Sequence, residues 1–345
     1  MYVWIKSQKT LSINYNNKIK FRQISDRKNM VFLRLLLCYL RVFGAFPLCF
    51  KIKNIKSMRQ ISFSPSKLGV AYNIFFIIII FVSNYFTIKL AFGGEAVKRS
   101  LFERLKDTVH NIYTVITAVF FLLYFCWKQE KVAYIANNLM SIRESSYILK
   151  RQIASMKLSV SWSFKKIVFA KVFAAILWYV TIPPSKELII YFTGVSLCNA
   201  VISSVLMLYS LCLAIVQHCF ETINRSLNHI LKENESFNTN YTKNYVDQEK
   251  MTKIYEIRRI YEATVKVSQE LSHFYALPVL ISSVNTFMSL VICSYYVARP
   301  TVLKKGNMTF NEFHLLLHLS SMIIFWMVSI ITLTRAAAGA AYEVS

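Results

Sequence analysis

Nine polar or aromatic residues lie near the ends of long apolar stretches, where their side chains could line a pocket for a small organic molecule. Aromatic rings stack on flat ligand surfaces, whereas amide, phenol and imidazole groups orient a ligand through hydrogen bonds. Trp and Tyr are also common anchors at membrane interfaces, so that role stays open for each of them. The candidates are Asn111, Tyr113, Trp178, Tyr179, Tyr191, Tyr295, Tyr296, His314 and His318.

The two histidines are four residues apart and therefore share one face of a helix. Such a pair could bind a metal ion, but Glu312 is the only neighbouring residue that could add a ligand. We therefore expect no metal site here. A polar pocket wall and packing at the membrane interface are the two remaining interpretations.

The sequence contains no motif typical of an enzyme. A glycine-rich phosphate loop, an HExxH zinc motif and a nucleophile elbow are all missing from it. Seven glycines among 345 residues leave little room for such loops. We therefore predict a protein without enzymatic activity and without a cofactor.

Six apolar stretches position the candidate residues, and each is long enough to cross a bilayer. About 20 residues of helix span the hydrocarbon core of roughly 30 Å. A membrane β-barrel would instead show alternating segments of about 10 residues, which this chain lacks. The sequence therefore predicts an all-α polytopic membrane protein. The stretches are Val70–Ile88, Val109–Trp127, Ile167–Ile182, Leu188–Val216, Ala276–Ala298 and Phe313–Thr334.

Basic residues are distributed unequally between the two predicted sides of the membrane. Segments 1–69, 128–166 and 217–272, with Arg335, hold 31 Lys and Arg residues, whereas the alternate segments hold 8. Positive loops stay in the cytoplasm, so we predict a cytoplasmic N-terminus. The net charge of +24 then faces anionic membrane lipids, and we expect no nucleic-acid partner. A glycan on Asn307, an acceptor in a predicted outer loop, would agree with this orientation.

The stretch Val31–Phe50 is apolar but contains Arg34 and Arg41, which lie seven residues apart. Each would be costly at the centre of a bilayer, so we expect an amphipathic helix in the interface rather than a seventh span. The predicted regions are the cytoplasmic N-terminal region (1–69), spans one to four (70–216), a cytoplasmic helical segment (217–272), spans five and six (273–334) and a cytoplasmic end (335–345).

Helical periodicity continues on the cytoplasmic side of spans four and five. Apolar residues recur every three or four positions from Leu213 to Leu231, and a second amphipathic stretch starts near Met251 and runs into span five. We therefore expect two helices that project inward and pack on each other or on neighbouring subunits. They could form an assembly region or a solvated helical pair.

Four segments together resemble the insect gustatory receptor family. One is LRVFGAFPL (Leu40–Leu48), which is similar to a Gly-x-Phe-Pro block before that family's first span. The others are QHCFETINRSLNHIL (Gln217–Leu231), RRIYEATVKVSQELSHFYALPVL before span five, and FWMVSIITLTRAAAGAAYEVS in and after span six. Their order and spacing extend over about 300 residues, which makes the match more specific than any one motif.

The resemblance implies a ligand-gated cation channel in the plasma membrane of sensory neurons. It implies a homo- or hetero-tetramer of related seven-span subunits, each with a pocket that opens outward and binds a small-molecule tastant such as a sugar or a bitter compound. The family's pore-lining seventh helix, with its Thr-Tyr…Gln-Phe signature, has no counterpart in these residues. We expect it to lie beyond Ser345.

Other membrane proteins agree less well with the sequence. An odorant receptor of the same superfamily is the nearest alternative. A secondary transporter would show internal repeats and helices broken by Gly or Pro near mid-membrane, whereas Pro183 and Pro184 lie in a loop. A G-protein-coupled receptor would place its N-terminus outside, against the distribution of charge.

Overall fold

The computed structural model describes residues 37–55, 58–93, 101–152, 169, 172–177, 180–181, 186–236, 243–303 and 310–344. Within these residues, a two-stranded antiparallel hairpin precedes a series of long helices. The elements are β1 (Leu48–Ile55), β2 (Met58–Pro65), α1 (Lys67–Gly93), α2 (Leu101–Trp127), α3 (Gln129–Gln152), α4 (Lys186–Ser236), α5 (Lys243–Leu303) and α6 (Phe310–Val344).

In the described part of the chain, five helices are long and apolar enough to cross a membrane. They are α1, α2, α4, α5 and α6, which contain the first, second, fourth, fifth and sixth predicted stretches. The third stretch, Ile167–Ile182, is described only in part, and residues 172–177 of it are helical. The prediction of an all-α polytopic membrane protein is confirmed.

Helix α4 lies at the centre of the bundle. In its most apolar window 72% of the residues are buried inside the protein, against 28% for α1. Small residues on α4 let neighbouring helices approach closely. Two of its buried serines hydrogen-bond to their own helix, Ser204 Oγ to the Val201 carbonyl at 2.6 Å and Ser210 Oγ to the Leu206 carbonyl at 2.8 Å. Polar side chains are thereby accommodated in an apolar core.

The bundle has two ends that differ in structure. The hairpin end contains β1, β2, α3, the N-terminal half of α5 and the C-terminal halves of α4 and α6. The far end contains the C-terminal ends of α1 and α5 and the N-terminal ends of α2, α4 and α6. Contacts across neighbouring helices define these ends, with Asn224 donating to the Glu343 carbonyl at 3.0 Å at the first and Tyr296 contacting Asp107 at the second.

The predicted interfacial helix Val31–Phe50 ends early, and the β-hairpin begins at Leu48, within the last three residues of that stretch. The backbone is helical at residues 37–42 and then turns through Gly44, which has a positive φ of 71°. Only glycine adopts this conformation without strain. In β1, apolar residues alternate with lysines from Phe50 to Lys53. Leu48 at the start of this strand is fully buried, and Phe50 pairs with Phe63 of β2. This hairpin was not predicted from the sequence.

Helices α4 and α5 extend well past the bilayer at the hairpin end. They contain 51 and 61 residues, which at 1.5 Å per residue exceed the roughly 40–45 Å of a whole membrane. Phe220 of α4 and Tyr261 of α5 contact each other there, with ring centroids 5.7 Å apart. The predicted continuation of the helices beyond spans four and five is therefore confirmed. The cytoplasmic location and the assembly role of these extensions stay predictions.

Candidate functional site

A row of polar side chains joins α2 to α5 in the far half of the bundle, and we call this row the polar seam. Thr114 Oγ1 lies 3.1 Å from Asn285 Oδ1, and His110 Nε2 lies 3.3 Å from Ser289 Oγ. One turn further out, the Tyr296 hydroxyl lies 2.7 Å from each oxygen of the Asp107 carboxylate. The spacing of three, four or seven residues on both helices keeps these groups on facing sides. The seam consists of Asp107, His110, Asn111, Thr114, Asn285, Ser289 and Tyr296.

Two aromatic rings and a lysine surround the outer end of the seam. Lys106 Nζ lies 4.2 Å from the ring centroid of Tyr295 and 4.1 Å from that of Tyr296. An ammonium group over an aromatic face is attracted by the electrons of the ring. Lys106 is also the sequence neighbour of Asp107, which is only 8% exposed. The mouth of the seam therefore combines a buried carboxylate with a nearby cation and a hydrogen-bonded phenol.

Several buried polar atoms of the seam have no hydrogen-bond partner among the described residues. They include Asn111 Oδ1, Asn285 Nδ2 and His110 Nδ1. Leaving such an atom unpaired costs about 1–3 kcal/mol, and buried polar groups are nearly always hydrogen-bonded. The seam therefore offers both donors and acceptors, of the kind that water or a polar ligand could satisfy.

Helix α4 brings a further unpaired amide into the far half. Asn199 is fully buried, and neither its Nδ2 nor its Oδ1 atom has a partner in the described structure. Ser196, three residues earlier, also has an unpaired Oγ. Because α4 packs against both α2 and α5, it supplies a third wall to this half of the bundle. The far half thus contains unpaired polar groups on three adjoining helices.

The two predicted histidines lie in different surroundings. His318 is fully buried, and its Nδ1 atom lies 3.3 Å from Thr181 Oγ1, which in turn lies 2.9 Å from Ser321 Oγ. His314 is partly buried, and its ring contacts that of Phe313. In the searched part of the chain no group of three metal-binding side chains is present. His318 therefore joins α6 to the end of the third apolar stretch.

The structure brings some of the predicted site residues together. Asn111 and Tyr296 belong to the seam and Tyr295 lies at its mouth, whereas Tyr113 is partly buried on α2 and Tyr191 lies on α4. Trp178, Tyr179 and the glycosylation acceptor Asn307 lie outside the described residues. None of these placements tests a ligand-binding role.

Sequence reasoning missed most of the seam, although a signal for it was present. Polar residues inside membrane helices are rare and usually face the bundle interior. Thr114 lies three residues after Asn111, and Asn285 and Ser289 are four residues apart; all interrupt apolar runs and could have been found this way. The sequence does not show which helix each one faces, because that depends on the packing of the bundle.

Comparison with known protein families agrees with this architecture. The family model described as 7tm Chemosensory receptor matches residues 33–340, which is most of the chain. No protein of curated function matches the sequence. The matched region includes the turn at Gly44, all the candidate spans and both helices of the polar seam. The chain therefore belongs to the 7tm chemosensory receptor family.

Proposed function

We propose that this protein is a gustatory receptor, namely a subunit of a ligand-gated cation channel in the plasma membrane of sensory neurons. Its family makes it a chemosensory receptor. The resemblance of its motifs to insect gustatory receptors supports a taste function, cation conduction and assembly with three like subunits. The ligand is a small-molecule tastant.

The single observation that carries this proposal is the set of unpaired polar atoms in the far half. Asn111 Oδ1 is a free acceptor on α2, and Asn285 Nδ2 is a free donor on the facing helix α5. A ligand rich in hydroxyl or amide groups would satisfy both at once. A largely apolar odorant would leave them unpaired, at a cost of about 1–3 kcal/mol for each atom. The seam therefore favours a tastant over an odorant.

The mouth of the seam suggests how binding is transmitted. A ligand that takes the hydrogen bond of the Tyr296 hydroxyl releases this group from Asp107, and the contact between α2 and α5 changes. Helix α5 continues without interruption from Tyr296 into the inner extension around Tyr261. A ligand shifts such an equilibrium only by binding one arrangement more tightly than the other. The polar contacts of the seam provide this difference in ligand affinity, because a ligand can replace their hydrogen bonds with its own.

The test is a ligand screen in cells that express the full-length receptor, with calcium imaging as the measurement. The panel contains sugars, bitter alkaloids and odorants. For any active compound, Asn285→Ala is expected to raise the half-maximal concentration about tenfold, because one hydrogen bond to a buried amide is lost. Met288→Ala is the matched control, since Met288 lies on the same helix and is 44% exposed on its outer face.

Surface expression is measured for both variants in parallel. An unchanged potency in Asn285→Ala, or an equal shift in Met288→Ala, would contradict binding at the seam. Activation by odorants with no response to sugars or alkaloids would make the protein an odorant receptor instead. A receptor that reaches the surface but passes no cation current for any active compound would contradict the channel function.

A further inference from the structure

An open apolar groove lies between α1 and α2 at the hairpin end, on the opposite half of the bundle from the polar seam. Its volume is about 520 Å³. Val70 and Ile74 form one wall, and Phe120, Leu123 and Trp127 belong to the other. A volume of this size is typical of sites that hold one small apolar molecule or one chain of a lipid. Its lining residues extend over one turn of α1, from Val70 to Ile74, and two turns of α2, from Phe120 to Trp127.

Two lysines flank the end of this groove. The Ser66 backbone N–H donates to Gln129 Oε1 at 3.2 Å, and this bond fixes the start of α1 against the start of α3. Lys67 and Lys128 are the sequence neighbours of this pair, and both are exposed. Among the described residues, neither ammonium group has an acidic partner. Two lysines without an ion pair in the described structure thus adjoin the two residues that this hydrogen bond joins.

The same position coincides with the boundary of the membrane. The candidate spans begin at Lys67 on α1 and end at Trp127 on α2. Trp127 is 80% exposed, and Lys128 Nζ lies 4.4 Å from the centroid of its ring system. Exposed Trp and Lys at the end of a span are typical of the level of the lipid headgroups. The apolar groove therefore lies at the depth of the acyl chains and the lysines lie at the depth of the headgroups.

We propose that this groove binds one acyl chain of an anionic phospholipid, whose headgroup contacts Lys67 and Lys128. A free anion would use the lysines but not the groove, and a neutral lipid would use the groove but not the lysines. Only an anionic lipid matches both features. The hairpin end is also the side that the distribution of charge predicts to be cytoplasmic, where anionic lipids are concentrated.

The test uses the purified receptor in bicelles that contain brominated phosphatidylserine or, separately, brominated phosphatidylcholine. Bromine atoms on an acyl chain quench the fluorescence of a nearby tryptophan. The signal of Trp127 is obtained as the difference between the wild-type protein and Trp127→Phe. We expect phosphatidylserine to quench this signal at a mole fraction at least fivefold lower than phosphatidylcholine does, because each lysine near an anionic surface contributes about a fivefold preference.

The double variant Lys67→Gln/Lys128→Gln is expected to lose this preference and to retain quenching by phosphatidylcholine. Lys266→Gln, an exposed lysine on α5, is the matched control and should leave the preference intact. Inorganic phosphate should not displace phosphatidylserine. Equal quenching of the wild-type protein by both lipids would overturn the proposal, as would a preference that survives in the double variant. Displacement by inorganic phosphate would make this a site for free anions.

Discussion

Asn137 and Asn199 are both asparagines on long helices of this bundle, but they differ in whether their side-chain amides are hydrogen-bonded. At the hairpin end, Asn137 Oδ1 accepts from the Phe63 N–H at 2.7 Å and its Nδ2 donates to the Phe63 carbonyl at 2.9 Å. In the far half, both amide atoms of the fully buried Asn199 lack a partner in the described structure. The first amide stabilises the fold, whereas the second costs stability.

The surroundings of these two residues differ in the same direction, although Asn73 Oδ1 and Ser146 Oγ at the hairpin end also lack a partner in the described structure. Gln129 donates to the Pro47 carbonyl at 3.0 Å, and Asn73 donates to the Gly44 carbonyl at 3.0 Å, so the segment before α1 is tied to the helices around it. The seam contains Asn111 and Asn285 with unpaired atoms. Uncompensated polar groups persist where function requires them. We infer that the hairpin end maintains the fold and that the far half binds the ligand.

The largest effect is expected from Gly44→Val at the hairpin end. Gly44 has a φ of 71°, and a Cβ there would lie 2.8 Å from Asn73 Oδ1 and clash with Leu122. The backbone strain costs about 1–3 kcal/mol. Overpacking adds about 1–3 kcal/mol. Fluorescence-detected size exclusion should show little folded protein.

Gly339→Ala is the control for this change, because its Cβ would meet only the end of the flexible Gln217 side chain. We expect this variant to keep most of its folded protein. If Gly44→Val were as stable as Gly339→Ala, the turn at Gly44 would not be needed for the fold of the hairpin end.

A smaller effect is expected from Asn137→Leu. This change leaves the N–H and carbonyl groups of Phe63 without their side-chain partner, at a cost of about 1–3 kcal/mol. The thermal midpoint of the purified protein should fall by several degrees. Asn138→Leu is the matched control, since this neighbouring residue is also partly buried and no hydrogen bond of its side chain is found in the described structure. Equal midpoints for the two variants would remove the structural role assigned to Asn137.

Much of the helical architecture could be predicted from the sequence because it depends on local patterns. Apolar length predicted the five described spans, and periodicity predicted the extensions of α4 and α5. The turn at Gly44 was missed because Val31–Phe50 is apolar enough for a helix. The hairpin was missed because the residues after Phe50 were assigned only to the cytoplasmic N-terminal region, without an element of their own.

The candidate site was harder to predict from the sequence because it is formed by contacts between different helices. The sequence predicted that Asn111 and Tyr296 lie near a membrane boundary. The hydrogen bond between Tyr296 and Asp107 could not be predicted, because it depends on the packing of α2 beside α5. His318 shares a face with His314 in the sequence pattern, yet it pairs with Thr181 of another stretch. Positions on one helix follow from the spacing of residues, whereas partners on other helices do not.

The most direct test of the division between the two regions is a paired measurement on Asn199→Leu. Leucine has the same branching and the same number of heavy atoms as asparagine but no polar atoms, so it removes the desolvation cost of an unpaired buried amide. We predict that the thermal midpoint of this variant equals or exceeds that of the wild-type protein, while the half-maximal ligand concentration in calcium imaging rises at least tenfold. A lower midpoint with unchanged ligand potency would contradict the account, because Asn199 would then stabilise the fold and take no part in binding.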